Sequence, residues 1–450
     1  MKHTQTKIYS KQKKETNLYP SPSIHNLAEN SLAFQMLEAA KVIAFVIEGN
    51  NLDRALSQVI NIKLPANTQS AIKDMAYQTL RQYGRASTAL KPYLQKELPQ
   101  PYHALLYVAF QRLEAGFSES YAIVDQAVHA TSLNAGGLKG VINAVLRNVL
   151  RNWQKIQDQL AESPVSRYQH PAWWINKVKQ TYPENWIEVL NAANYPPPMS
   201  LRVNLQLQTL QAVQTLLKQS NIESHAIDSA GLVLKTPQSV WTLPGFKEGF
   251  FSVQDIGAQH AAQWLDVQPE MNVLDACAAP GGKASHILEL TPSCHLTALE
   301  ISQARAKKIE ENFERLHLNA QIIIGDAQSN TWWDGKYFDR ILADVPCSAS
   351  GVVRRHPDVK WLRQAEDIRQ FRIQQSKILS SLWQTLKIGG KMLYVTCSIF
   401  NEENSEQIRN FCLNHKDAVR LNIEGELEKI YLPSPLHDGF YYALLQKTAS

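Results

Sequence analysis

Asn272-Val273-Leu274-Asp275-Ala276-Cys277-Ala278-Ala279-Pro280-Gly281-Gly282-Lys283 is the stretch that decides the fold. It opens on a short apolar run, reaches a turn of small residues, and continues at helical spacing through Ala284, Ile287 and Leu288. A buried strand running into a glycine turn and then a helix is the unit from which doubly wound α/β domains are built. Gly281 and Gly282 let backbone approach a ligand where a Cβ would clash. The turn lacks both the GxGxxG spacing of dinucleotide folds and the GxxxxGK[ST] of a phosphate loop. That argues against a dehydrogenase and an NTPase.

The same alternation repeats downstream. Leu296 to Leu299, Ile322 to Ile324, Ile341 to Ala343 and Met392 to Val395 read as further strands separated by helical stretches, so a parallel sheet is expected. In such sheets ligands bind at the carboxyl ends of the strands. Glu300 ends the second strand, near the offset where an acid takes ribose hydroxyls. Asp326 ends the third, placed for an adenine edge, and Asp344 ends the fourth. With Asp275 they make an ordered set of acids around a glycine turn, which suits a nucleoside with a cationic centre such as S-adenosylmethionine. Taken singly, each acid also reads as a helix N-cap. Two thiols share these strand ends, Cys347 in Asp344-Val345-Pro346-Cys347-Ser348 and Cys397 in Thr396-Cys397-Ser398. Thiols beside a cofactor turn suggest covalent catalysis. Cys294 and Cys412 read as inert packing residues.

The chain has 450 residues, 44% apolar and 19% charged, so a globular protein of two or three domains is expected. No apolar run approaches membrane-spanning length. The lysine-rich start has no apolar stretch after it and is not a secretory signal. Five cysteines without a CxxC pair argue against a disulfide framework and against structural zinc. A reducing cytoplasm fits. The net charge of +5 is a mild bias toward nucleic acid. Residues 1–27 read as a disordered basic tail, with Lys2, Lys7, Lys11, Lys13 and Lys14 against Glu15. Residues 28–157 read as an all-helical domain, on the faces of Phe34, Leu37, Ala40, Ala44 and Ile47 and of Leu138, Val141, Ile142, Val145, Leu146, Val149 and Leu150. Lys139, Asn143, Arg147 and Arg151 lie opposite the second face and read as a solvated stripe. Residues 158–245 read as a small α/β connector, with Trp153, Trp173, Trp174 and Trp186 as core around its start. Residues 246–450 are the catalytic domain.

The motifs from Asp275 to Lys283, from Asp344 to Gly351, Arg354-Arg355-His356-Pro357-Asp358 with Lys360-Trp361, and Thr396-Cys397-Ser398 occur in the order of a known family. The chain resembles the RNA cytosine-C5 methyltransferases, most closely their bacterial RsmB (Sun/Fmu) branch. The resemblance covers nearly all of the chain after about residue 28, and Leu138 to Arg147 is similar to that branch's NusB-type RNA-binding domain. Leu201-Arg202-Val203-Asn204, Val253-Gln254-Asp255 and Asp438-Gly439-Phe440 match its pattern too. It implies a Rossmann-like methyltransferase domain that uses S-adenosyl-L-methionine to modify small-subunit 16S ribosomal RNA, with no membrane and no obligate protein partner. It implies that Cys397 is the nucleophile, that Cys347 assists release, that Asp344 bonds the base at N3, and that Lys283 points at the base. The residues from Cys277 through Ala278, Ala279, Pro280, Gly281 and Gly282 to Lys283, with Glu300, Asp326 and Asp344, would hold the cofactor, Cys277 mainly as a small packing residue.

The chemistry agrees with what the residues alone suggest. Carbon 5 of cytosine is a poor nucleophile until a thiolate adds at carbon 6. Without the resemblance, which thiol attacks stays open, since in DNA cytosine methyltransferases a Pro-Cys thiol does so, which would point to Cys347. An exocyclic-amine methyltransferase would leave Cys397 without work, and an RNA-binding assembly factor with an inert domain would leave both thiols and the glycine turn without work. Arg354, Arg355, His356, Lys360 and Arg363, with Trp361 among them, follow the Cys347 loop and are expected to meet RNA phosphates. Val345 and Glu300 stand where the family more often has Ala and Asp, and neither removes a reacting group.

Overall fold

The computed structural model describes residues 27–94, 96–116, 118–131 and 136–449. The basic tail expected over residues 1–27 lies, but for its last residue, outside them. The chain forms two compact units. The first takes in residues up to Phe45, Arg54–Thr79 and Leu90–Trp153 and is helical in its described residues. Its helix Lys139–Arg151 buries Ile142, Val145, Leu146 and Val149 and exposes Lys139, Arg147 and Arg151. That is the three-to-four spacing of an amphipathic helix. Val141, expected on the apolar stripe, is instead exposed.

The second unit comprises Val46–Asp53, Leu80–Ala89 and Gln154–Ser450. It contains two sheets. The smaller has the order β2-β3-β1-β4 and is antiparallel, from β1 (Met199–Val203), β2 (Ser224–Ala226), β3 (Gly231–Leu234) and β4 (Phe251–Val253). It therefore draws on residues either side of 245. Around its approach, Trp174 is fully buried and meets Phe400 edge-on at 5.1 Å, and Trp186 meets Tyr168 at 4.9 Å. These tryptophans are core, as expected.

The larger sheet holds β5 (Asn272–Ala276), β6 (His295–Glu300), β7 (Gln321–Ile324), β8 (Phe338–Asp344), β9 (Leu386–Thr396), β10 (Ala418–Leu421), β11 (Lys429–Tyr431) and β12 (Phe440–Lys447). Its order is β10-β12-β9-β8-β5-β6-β7, with β11 beside β12. All five expected strands are present and run parallel to one another. Alternate residues face opposite layers. Val273, Leu342, Leu393 and Val395 pack toward Ala261, Ile287 and Ile309, whereas Leu274, Ile341, Met392 and Tyr394 pack toward Ile378, Leu382 and Ile408. Helices on both faces make the sheet doubly wound.

The sheet is not wholly parallel, which corrects the expectation. β12 runs antiparallel between β9 and β10. A reversed strand begins at the edge where its parallel neighbours end, so β12 carries Asp438 and Gly439 to the carboxyl ends of β8 and β9. There the Gly439 N–H donates to the Gly351 carbonyl at 2.9 Å, and the Gly351 N–H donates to the Cys397 carbonyl at 2.8 Å. A Cβ on Gly351 would stand 2.3 Å from the Gly439 oxygen, so only glycine permits this three-loop contact.

Among the described residues, no helix is long and apolar enough to cross a membrane, and no group of three or more His, Cys, Asp or Glu is arranged to hold a metal ion.

Candidate active site

The turn after β5 is held by the next strand and helix. The Ala278 N–H donates to the Leu299 carbonyl at 3.0 Å, and Asn312 donates to the Pro280 carbonyl at 2.9 Å. Cys277 and Gly281 both adopt positive φ, 63° and 97°. Gly281 presses on Ile309, and a Cβ there would meet it at 3.2 Å, whereas one on Gly282 would meet only the Gln254 amide at 3.8 Å. The turn thus has a packed side and an open side.

The acids around it are not equivalent. Glu300 is buried, and its carboxylate accepts from the Ser302 N–H at 3.0 Å and the Ala279 N–H at 3.3 Å, with Arg305 at 3.4 Å. Asp326 accepts from the N–H of Gln328 at 2.9 Å. Asp275 is buried with neither carboxylate oxygen hydrogen-bonded; the Ala284 N–H faces it outside hydrogen-bond geometry. Burial pushes this carboxyl up to about 8, Asp344 and Glu300 add to the shift, and Lys283 opposes it. An orphaned buried acid beside an open glycine face fits a cofactor with a cationic centre.

The sign of that shift sets a prediction. The folded protein keeps a proton that the unfolded chain gives up above about pH 4. The stability from this group is therefore full below about pH 4 and lost as the pH rises toward about 8. Asp275→Asn is expected to gain stability relative to the parent between pH 5 and pH 8, read from urea midpoints. A midpoint difference that does not change with pH would contradict it.

Lys283 begins the helix after the turn and ion-pairs with Asp344 at 2.6 Å. Burial works against its charge, but Asp344 and Asp275 more than offset it, and the ammonium is held above the usual lysine range. Cys397 adds to the same effect on Lys283. Cys347 and Cys397, fifty residues apart in sequence, meet with their sulfurs 3.3 Å apart. The hydrogen bond to Cys397, then burial, then the charge of Glu403 push the Cys347 thiol well above the usual range. Cys347 is thus held as a thiol against its neighbour. Cys277 is packed against the sheet core, and burial raises its thiol strongly. Cys294 is buried and pushed up to about 11, and Cys412 packs against the same core as Cys277. Those three are packing residues.

Arg354, Arg355 and Lys360 are engaged within the fold, which corrects their expected role on a phosphate-binding surface. Arg354 and Lys360 are buried. Arg354 and Arg355 both pair with Asp438, and Arg355 also pairs with Asp255 at 2.9 Å. Lys360 donates to Asn194 at 2.8 Å and the Arg81 carbonyl at 3.3 Å. Trp361 donates to the Leu80 carbonyl at 2.7 Å, and Arg363 lies over Phe371 at 4.7 Å. Clustered cations read alike whether solvated or paired, and their acids come from residues 84 and 100 positions away. Asp438→Ala leaves Arg354 without its carboxylate in a buried site. It is expected to cost about 3–5 kcal/mol, visible as a lower urea midpoint at unchanged slope. An unmoved midpoint would show that this charge cluster is not structural.

Two further residues escaped sequence reading. Arg202 of β1 is fully buried, pairs with Glu289 at 2.7 Å and donates to the Gly282 carbonyl at 2.8 Å, tying the small sheet to the cofactor-turn helix. Its motif was visible but its partner was not. Glu403 bonds to both cysteine loops, and no motif in the sequence singled it out.

Residues 262–446 match the family model described as 16S rRNA methyltransferase RsmB/F. Residues 170–241 match the ferredoxin-like domain of RsmF/B-like methyltransferases, and residues 29–151 match the NusB family. The chain is 40% identical over 419 residues to ribosomal RNA small subunit methyltransferase B of Vibrio cholerae, covering 91% of this chain and 96% of that one. It is 38% identical over 435 residues to the protein of the same name in Pseudomonas syringae pv. tomato, covering 92% and 97%. Among solved structures, that of PH0851 matches with a TM-score of 0.78 at 23% identity, over 94% of this chain and 100% of that one. NSun6 from Pyrococcus horikoshii, solved with SFG, matches with a TM-score of 0.57 at 19% identity, over 62% and 99%. These two show the fold. Identity of 40% sustained over 91% of the sequence shows kinship as well, and the chain belongs to the RsmB/F family of 16S rRNA methyltransferases, with S-adenosylmethionine as its methyl donor.

Proposed function

We propose that this protein methylates carbon 5 of a cytosine in small-subunit 16S ribosomal RNA through a covalent bond between Cys397 and carbon 6 of the base. The observation that carries this reading is the pair of sulfurs 3.3 Å apart, next to the Lys283–Asp344 ion pair, at the carboxyl ends of a doubly wound sheet. S-adenosylmethionine, when bound, supplies an electrophilic methyl group. The residues from Cys277 to Lys283, with Glu300, Asp326 and Asp344, would hold it, with Asp275 buried beneath the turn. Cys397 adds to carbon 6 as its thiolate, its proton passing to solvent. Addition makes carbon 5 electron-rich. Asp344 bonds the base at N3 and steadies the adduct. After transfer, the carbon 5 proton must leave and the carbon–sulfur bond must break. Cys347, a thiol against the departing sulfur, gives that sulfur its proton, and the thiolate so formed takes the carbon 5 proton, which then exchanges with water. The base reaches the thiol only when flipped out of its stack. A reducing cytoplasm suits an enzyme that works with free thiols.

The helical first unit is proposed as an RNA grip, with Lys139, Arg147 and Arg151 exposed along one helix.

RNA carrying tritium at carbon 5 of its cytosines tests the reaction. Each methyl transfer is expected to release one tritium to water, in step with methyl incorporation. Methylation without tritium release would place the methyl group on another atom and overturn the proposal.

A further inference from the structure

Beneath the two thiols lies a buried polar cluster that the chemistry above does not use. Glu403 follows β9 by seven residues and is fully buried. One carboxylate oxygen accepts from the Ser348 N–H at 2.8 Å and from the Gln375 amide at 3.1 Å. The other accepts from the Ser348 hydroxyl at 2.6 Å and the Ser398 hydroxyl at 2.5 Å. Ser348 is the neighbour of Cys347, and Ser398 is the neighbour of Cys397. A single carboxylate therefore grips both cysteine loops, one through each residue that follows a thiol. Ser350 completes the junction, 3.0 Å from both serine hydroxyls. Asn404 reinforces one side, accepting from the Thr396 hydroxyl at 2.6 Å and donating to the Ser398 carbonyl at 2.8 Å. Tyr394, under the loops, donates to the backbone carbonyl of Glu403 at 2.6 Å and holds the acid's own loop down.

An acid in this position costs desolvation, and burial does raise its carboxyl above the usual range. Four donors on two oxygens compensate for much of that cost. The geometry has a second effect. Backbone also ties the loops further on, the Gly351 N–H donating to the Cys397 carbonyl at 2.8 Å and the Ile399 N–H to the Ser350 hydroxyl at 2.9 Å, but between the cysteine side chains there is only the sulfur contact, and a thiol–thiol hydrogen bond is too weak to set a distance.

We propose that Glu403 is a positioning residue that sets the separation of the Cys347 and Cys397 sulfurs. Its catalytic consequence rests on the reaction proposed above, because addition and release need the two thiols on one base at one distance. Span is the property that matters. Glutamate reaches Ser348 and Ser398 together, glutamine has the same reach, and aspartate is one methylene shorter.

Diamide reads the separation without RNA. It oxidises two neighbouring thiols to one disulfide, their two hydrogens and two electrons passing to its azo bond, which becomes a hydrazine. The rate of formation of the Cys347–Cys397 disulfide, followed by mass spectrometry of the joined peptides, measures how closely the sulfurs are held. Glu403→Gln is expected to oxidise within about threefold of the parent, and Glu403→Asp at least about tenfold more slowly. The turnover number for methylation should fall in the same order, with the KM for RNA and the dissociation constant for S-adenosylmethionine unchanged. Equal oxidation rates in the parent and both variants would overturn the proposal. Glu403→Gln as slow as Glu403→Asp would also overturn it, by making charge rather than span the cause. If the oxidation order holds but the parent shows no tritium release, the clamp stands and the proposed reaction falls.

Discussion

Cys397→Ala is expected to lower methyl transfer by roughly 10⁴-fold or more, while the dissociation constant for S-adenosylmethionine stays within about twofold. The two effects separate because the sulfur and the cofactor turn lie on different strand ends. Cys397 follows β9, and the turn proposed to hold the cofactor follows β5, with β8 between them in the sheet. Removing the thiol leaves the turn's own bonds to Leu299, Glu300 and Asn312 in place. It also leaves carbon 5 of the base unactivated, since no other thiol near the site is free to add. Cys347 stays buried near the charge of Glu403, both of which push its thiol up even without Cys397, and Cys277 is packed in the core. Calorimetry for the cofactor and a tritiated-methyl assay for transfer check the two halves separately. Turnover at the parental rate would remove Cys397 from the role of nucleophile. Loss of cofactor binding would show that the thiol supports the cofactor turn.

Cys347→Ala is expected to stop the reaction after addition and to collect the enzyme as a covalent RNA adduct that survives denaturing electrophoresis. Addition needs only Cys397, whereas release also needs a group beside the departing sulfur. At 3.3 Å from Cys397, the Cys347 sulfur is the nearest such group. The substitution removes one sulfur from a loop whose other anchors persist, namely the bonds of Ser348 to Glu403 and of Gly351 to Cys397 and Gly439. Arrest is therefore chemical rather than a collapse of the loop. The decisive comparison sets Cys347→Ala against the variant lacking both thiols on the same RNA. A slow-migrating species in the first and none in the second supports the assignment. An adduct that persists in Cys397→Ala and vanishes in Cys347→Ala would exchange the two roles while preserving the class of reaction.

The two predictions depend on different amounts of structure. That Cys347 and Cys397 each end a strand was readable from the apolar runs Ile341 to Ala343 and Met392 to Val395. That the strands are neighbours, with Asp344 opposite Val395, is a matter of sheet order. The same holds for Lys283, whose motif was plain but whose partner Asp344 lies 61 residues away. The acids show the limit most clearly. Glu300, Asp326 and Asp275 all looked like ligands at strand ends, and the fold has given the first two hydrogen-bond partners while leaving Asp275 with none. Arg354, Arg355 and Lys360 looked like a phosphate surface, because charge in a sequence carries no sign of burial. Asp438 and Asp255 turn the arginines inward, and Lys360 meets neutral acceptors.

The sequence alone determined those features whose physics is local. Apolar runs of three or four residues announce buried strands, a small-residue turn before a helical spacing announces close backbone approach, and the three-to-four spacing of Lys139–Arg151 announces an amphipathic helix. It also singled out Cys347 and Cys397 as candidates, because each follows a buried strand within a longer motif. Tertiary structure decided whatever depends on partners far apart in the chain. The apolar run Phe440 to Leu445 pairs antiparallel with β9, and that direction delivers Asp438 and Gly439 to the site. Strand direction depends on the path of the chain between strands, not on the residues within one. Glu403 became legible only when Ser348 and Ser398 were found on its two oxygens, since a buried carboxylate and a solvated one are the same letter until their donors arrive.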